Sequence, residues 1–410
     1  MSGEHGVSQQ WLTIIGVGDD GLESLSEKSH AILRHASLIV APDRLLSSDD
    51  YPQAEVHLWS AGFETVMELL RERRGTPVTV IATGDPMNFG IGATLAKFFG
   101  ADEMLVVPSL SAFSLAAARL GWALQDVDSI SIHGRSPARL ANFLSPNRRI
   151  LALTSNAGTV REAAEILAVN GYGGSKLTVL EHMGGASERR VPLSVENAKR
   201  HRGADFNTLA IECVADLDVR VLPSVPGLPD DAFQHDGQLT KQEVRAASLA
   251  ALAPFPGAIL WDVGAGCGSI SIEWLRAARG TKAFAIEDNA ARRAMMVHNS
   301  IALGVPDLKI IEGRAPQALV GLAQPDAIFI GGGVTEPGLF EACFEALKPG
   351  GRLVANVVTV EGEMKLIAYA QTLGGQLSRI AVSRAEAVGK FMAFKPMMPV
   401  TMLMIIKERT

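Results

Sequence analysis

Cysteine is scarce in this chain. Cys213, Cys267 and Cys343 are the only three in 410 residues, too few and too scattered for a disulfide framework or a spaced zinc site, so reduced thiols and no metal are expected. A basic excess is lacking too. The formal charge of −6 offers no stripe to neutralise phosphates, which excludes a nucleic-acid partner. No apolar run is long enough to span a membrane, and Met1 to Gln10 is polar with no secretory character, so the expected location is the cytoplasm, away from any membrane. Internal repeats, low-complexity tracts and a nucleophile triad are also missing.

What is present is the composition of a globular protein, 47% hydrophobic and 20% charged, long enough for two or three domains. Pro223, Pro226 and Pro229 fall at every third position ahead of Asp230 and Asp231. This spacing predicts a semi-extended linker over residues 223–231, dividing residues 1–222 from 232–410. Before it, apolar runs beginning at Trp11, Leu38, Val78, Met104, Ile150, Leu177 and Thr208 alternate with helical patterns. After it, seven more begin at Ile259, Ala283, Leu308, Ala327, Gly351, Leu377 and Val400. Alternation of this kind predicts an α/β fold in each half, the second a single doubly wound domain.

The most informative stretch is Leu260 to Ser269, an apolar strand running into Gly264, Gly266 and Gly268 and then a helix-compatible run. Glycine is needed where a backbone turns tightly beneath a ligand. Ser269 stands where a dinucleotide fingerprint wants its third glycine. Asp262 precedes the loop, and Glu287 closes the next apolar run, where a carboxylate can hold both hydroxyls of a ribose. S-adenosylmethionine suits these features; a ligand-free turn and a dinucleotide are the alternatives. Further on, Ile311 to Pro316 and Gly331 to Gly333 are small-residue loops at strand ends, and Lys348-Pro349-Gly350-Gly351 launches a fifth strand. Thr240, with Glu243 three residues on, also suits a helix N-cap.

Together, Thr240 to Arg245, Asp262 to Glu273 and Glu312 to Pro316 resemble the carbon-15-methylating, decarboxylating enzymes of cobalamin biosynthesis. The resemblance spans nearly all of residues 232–410. It implies a Rossmann-like seven-stranded methyltransferase fold, with Thr240, Gly264, Ala265, Gly266, Cys267, Gly268, Glu287 and Ala315 contacting S-adenosylmethionine. Glu287 stands where many relatives have Asp, and Arg314 where an acid is frequent.

In the first half, Gly16 to Gly21, Ala82 to Pro86, Val106 to Ala112 and Ser131 to Arg135 are loops after apolar strands. They resemble the tetrapyrrole methylase family over roughly residues 10–220, in particular its carbon-5 methyltransferases. This implies a two-subdomain fold holding a second S-adenosylmethionine, with Thr83, Gly84, Asp85, Ser111, Ala112 and Met183 lining the site. Asp19 departs from the family's usual Pro, and Ser109 from its usual Gly; a serine at positive φ would be strained by roughly 1–2 kcal/mol.

The two resemblances imply a fused, bifunctional enzyme for a precorrin tetrapyrrole, methylating carbons 5 and 15 and decarboxylating the ring-C acetate. A carboxylate-rich substrate wants cations. His133 and Arg135 in the first half, and Arg384, Lys390 and Lys395 in the second, are the candidates. No residue is singled out as catalytic, since the substrate carbon is itself the nucleophile and alignment in a dry pocket suffices. A homo-oligomer is expected. The competing readings are a first half that only docks the tetrapyrrole for one carboxy-terminal site, and a methyltransferase for another small molecule.

Overall fold

The computed structural model describes residues 10–46 and 50–409; the polar amino terminus lies outside them. The chain forms two compact units, residues 1–137 with 146–219, and residues 138–145 with 220–410. Among the described residues no helix is long and apolar enough to cross a membrane.

The first unit contains two five-stranded sheets. One is wholly parallel, built from β1 (Leu12–Val17), β2 (Leu38–Ala41), β3 (Glu55–Leu58), β4 (Val78–Thr83) and β5 (Met104–Val107) in the order β3-β2-β4-β1-β5. Its central strands are buried along nearly their whole length, as expected for a parallel sheet covered on both faces. The other contains β6 (Asp128–Ser131), β7 (Arg149–Leu153), β8 (Lys176–Glu181), β9 (Arg189–Ser194) and β10 (Asn207–Glu212) in the order β6-β7-β10-β8-β9. Here β10 runs antiparallel to both its neighbours. β3 and β9 are edge strands without a long apolar run, which is why the sequence pattern passes over them.

The second unit is built on β11 (Ile259–Val263), β12 (Lys282–Glu287), β13 (Lys309–Glu312), β14 (Ala327–Ile330), β15 (Arg352–Val357), β16 (Gln376–Ile380) and β19 (Val400–Ile406). The order is β13-β12-β11-β14-β15-β19-β16, with β19 running antiparallel to both of its neighbours. The order reverses beside β11, so its carboxyl end lies at the switch point where open α/β sheets bind ligands. Between β16 and β19 lies an unexpected hairpin, β17 (Ser383–Val388) and β18 (Phe391–Pro396); the apolar run expected from Leu377 through Ser383 ends earlier, and Ser383 opens this hairpin.

The proline-rich segment is not a free spacer. Leu228 is buried in the second unit's core, and the N–H groups of Gly227 and Leu228 donate to the Glu273 carboxylate at 2.5 and 3.0 Å. Arg245, wholly buried, binds Glu273 at 2.5 Å, Asp230 at 3.2 Å and the carbonyls of Leu228 and Thr240. A buried guanidinium needs this many acceptors, and residues 228–230 supply two of them.

Candidate active site

In the second unit, β11 passes through Gly264 to Gly268 into the helix Ser269–Ala277. The three glycines have φ of +72°, +57° and +83°, the left-handed region in which other residues are strained. A Cβ on Gly264 would lie 3.2 Å from the N of Gly332, and one on Gly268 2.5 Å from Cγ of Met296. The loops after β11 and β14 therefore close on each other at the carboxyl edge of the sheet.

Glu287, buried at the end of β12, accepts from Gly266 N–H at 2.8 Å through one oxygen and from Asn289 N–H at 3.0 Å through the other. Each carboxylate oxygen keeps acceptor capacity, so the group shapes the glycine loop and can still receive hydroxyls. Asp262, by contrast, points into the fold. It accepts from Ser271 N–H at 3.1 Å and Ser271 Oγ at 2.7 Å, and burial pushes its carboxyl up to about 6 against the pull of those bonds. It braces the helix and does not address a ligand. The Cys267 side chain is packed in the core, its thiol pushed up by burial, so only its backbone belongs to the loop. Sequence reasoning missed Asn299, whose amide donates to the carbonyls of Cys267 at 3.0 Å and Gln234 at 2.9 Å, holding the loop from below.

Thr240 does not cap a helix. Lys241 occupies that position, ahead of the helix Gln242–Leu252, without a side-chain cap. Glu243 binds Arg384 at 2.6 Å, and that guanidinium holds its carboxyl below the usual range. Arg384 also binds Asp230 at 2.8 Å, so it anchors the hairpin and its charge is already matched by two carboxylates. Lys395 pairs with Glu386 at 3.2 Å, and Lys390 sits exposed in the hairpin turn. Ala315 is half-buried after β13, with Arg314 nearby, 3.4 Å from Asp288.

In the first unit, a Cβ on Gly16 at the end of β1 would overlap the Gly84 carbonyl and lie 2.7 Å from Ser109 N, so the loops after β1, β4 and β5 converge. Gly84 has φ +65°. Ser109 is not in the left-handed region, and the strain entertained for it does not arise. Ser111 caps the helix Ala112–Leu120, accepting from Ser114 N–H at 3.1 Å, and Asp85 accepts from Met87 N–H at 2.9 Å. Met183, after β8 on the other sheet, packs with Ala112 and Phe113, which brings the expected residues of both sheets together. Arg135 lies over the Phe89 ring, 5.9 Å from its centroid, and Phe89 meets Phe113 edge-on. His133 is exposed, its Nδ1 3.0 Å from the Thr154 carbonyl.

A polar cluster borders this site that sequence spacing does not reveal. Asp19 Oδ2 is 3.0 Å from His182 Nδ1, and Asp19 Oδ1 is 2.6 Å from Arg44 Nη1. Arg44 Nη2 also donates to Thr83 Oγ1 at 3.2 Å, and its guanidinium lies 4.2 Å from the Phe206 ring centroid. The adjacency of His182 to Met183 and the departure at Asp19 were the only hints.

Residues 11–199 match the family model described as tetrapyrrole (corrin/porphyrin) methylases, and residues 231–407 that of the precorrin methyltransferase domain. A precorrin-6Y C(5,15)-methyltransferase (decarboxylating) from Sinorhizobium is 45% identical over 97% of this chain and 97% of its own length. A probable cobalt-precorrin-6B C(15)-methyltransferase (decarboxylating) from Pyrobaculum calidifontis is 32% identical over 43% of this chain and 94% of its own. A cobalt-precorrin-7 C(5)-methyltransferase from Salmonella typhimurium is 28% identical over 46% of this chain and 93% of its own. The chain belongs to the precorrin-6Y C(5,15)-methyltransferase (decarboxylating) family and is a C-methyltransferase and decarboxylase of cobalamin biosynthesis.

Proposed function

We propose that the two units divide the work on a precorrin-6 tetrapyrrole. The first methylates carbon 5; the second methylates carbon 15 and releases the ring-C acetate carboxylate as carbon dioxide. The observation that carries this is a glycine loop with positive φ at the carboxyl end of parallel strands in each unit, after β4 at Gly84 in one and after β11 at Gly264, Gly266 and Gly268 in the other. Relatives spanning about half of this chain, each named for one of the two methylations, support the same division.

When bound, S-adenosylmethionine supplies an electrophilic methyl group. In the second unit, Glu287 would take the ribose hydroxyls, and the backbone of Gly264 to Gly268, with Thr240 and Ala315 beside it, would line the remainder. In the first, Thr83, Gly84, Asp85, Ser111, Ala112 and Met183 would form the second site. The protein's task is to align carbon with methyl and keep water out, while Arg135 and His133, and Lys390 and Lys395 on the hairpin, would meet substrate carboxylates. The hairpin exposes Val388, Phe391, Met392 and Phe394. A two-stranded ribbon is marginal alone, and the homo-oligomer expected of the chain, in the cytoplasm, is part of this proposal.

Counting sites by calorimetry tests the division. The wild type is expected to bind two equivalents of S-adenosylmethionine, and Glu287→Ala one. By product mass, Gly84→Val should leave a decarboxylated, singly methylated tetrapyrrole. One equivalent in the wild type, or loss of both methylations in folded Gly84→Val, would replace the two-site reading with a docking first unit.

A further inference from the structure

We propose that His182 is the base that removes the proton from the carbon methylated in the first unit, and that Asp19 and Arg44 position it. The proposal rests on the reading that this unit methylates carbon 5. A meso carbon that gains a methyl group while still bearing hydrogen must lose that hydrogen to restore conjugation. The carbon–methyl bond forms as the sulfonium–methyl bond breaks, the neutral thioether leaves, and the substrate takes up the positive charge. The carbon–hydrogen electron pair then returns to the macrocycle, and the proton passes to a base beside the methyl donor.

His182 has the geometry for that role. A carboxylate only accepts, so the 3.0 Å contact with Asp19 Oδ2 calls for a hydrogen on Nδ1, and the neutral ring that a base must be then carries its lone pair on Nε2. Nε2 has no protein partner among the described residues. The His182 side chain is 34% exposed while Asp19 is 11% exposed, so a partly open ring, tilted against Phe206 at 5.7 Å between centroids, sits beside a covered carboxylate.

The neighbourhood is built around this pair. His182 holds φ +50°, an uncommon conformation for a residue with a side chain, secured by its N–H to the Phe206 carbonyl at 3.2 Å and by its own carbonyl accepting from Gly185 N–H at 3.0 Å. A Cβ on Gly185 would stand 2.6 Å from Asp19 Oδ2, so the bare turn after His182 admits the carboxylate. Arg44 takes the other Asp19 oxygen and reaches Thr83, while Met183 follows directly on His182. The pair therefore joins the loops after β1 and β8 at the edge where the residues expected to hold the methyl donor gather. The neighbouring carboxylate Glu181 is engaged by Arg189 and by Ala204 N–H, which leaves Asp19 as the acid that addresses the ring.

The test uses the full chain with S-adenosylmethionine and the tetrapyrrole. His182→Asn, a residue tolerant of positive φ, should slow carbon-5 methylation by about 10²–10⁴-fold, with carbon dioxide release and the affinity of both cofactor sites unchanged. Imidazole should restore the rate of His182→Gly. Nitrogen NMR of the protein without cofactor should place the His182 hydrogen on Nδ1, and Asp19→Asn should abolish that preference. Undiminished carbon-5 methylation in His182→Asn, or a defect that imidazole leaves uncorrected, overturns the proposal. A failure of Gly84→Val to remove carbon-5 methylation would instead overturn the assignment of that reaction to the first unit, and the tautomer measurement stands apart from it.

Discussion

Two fragments of the second unit, one beginning at Arg220 and one at Ala232, should differ sharply in stability, although the proline spacing alone would let both fold. The shorter fragment lacks Leu228, a core side chain only 1% exposed. It also lacks the N–H groups of Gly227 and Leu228 that satisfy Glu273, and the Asp230 carboxylate and Leu228 carbonyl that satisfy Arg245. The carbonyl of Leu222, which accepts from Arg276 at 2.7 Å, goes with them. Burying a leucine stabilises by about 2 kcal/mol, and each hydrogen bond to a buried charge by roughly 1.5–3. One leucine and five such bonds come to about 9–17 kcal/mol, as much as or more than the roughly 5–15 kcal/mol that holds a domain folded. Urea unfolding followed by circular dichroism should show the midpoint of the Ala232 fragment lower by about 4 M or more, or no cooperative transition at all, given a slope of roughly 2 kcal/mol per molar. Leu228→Ala in the longer fragment should by itself cost about 2–5 kcal/mol, reproducing part of that loss in one substitution. Equal midpoints for the two fragments would refute the claim that residues 220–231 belong to the folded unit.

The charge on buried Asp262 should cost stability as pH rises. Its carboxyl is raised from 3.8 to about 6 by burial, so the folded state binds the proton more tightly, and the stability present below pH 3.8 is lost as pH climbs through 6, by roughly 3 kcal/mol at most. Asp262→Asn should therefore raise the urea midpoint at pH 7 but not at pH 4, and an equal gain at both would contradict the assignment. Two glycines of one loop should respond differently to a methyl group. Gly266→Ala meets nothing nearer than the Gln238 carbonyl at 3.6 Å and should cost only about 1–2 kcal/mol of left-handed strain. Gly268→Ala adds a 2.5 Å approach to Met296 and should cost about 2–5 kcal/mol in thermal unfolding; the reverse order would show that Met296 yields freely.

Local pattern made the second unit's frame legible. A strand buried on both faces must be apolar throughout, and a tight turn beneath a ligand must use glycine, so Ile259–Val263 and the three glycines after it declared themselves, as did Glu287 at the next strand end. The edge strands β3 and β9 and the exposed hairpin carry no such pattern, because none of their residues is buried. The cap offered as an alternative role for Thr240 falls to Lys241, because the identity of a residue does not say which one stops being helical first. The sequence by itself determined the class of fold, the glycine loops at the strand ends and the family, since each depends on neighbours a few residues apart. Only the tertiary structure decided that the proline segment packs onto Glu273 and Arg245, that Arg384 is an anchor, and that Asp19 meets His182 across 163 positions. Those outcomes depend on which buried charges must find partners, and the partners are chosen by the packing of sheets and helices, not by spacing along the chain.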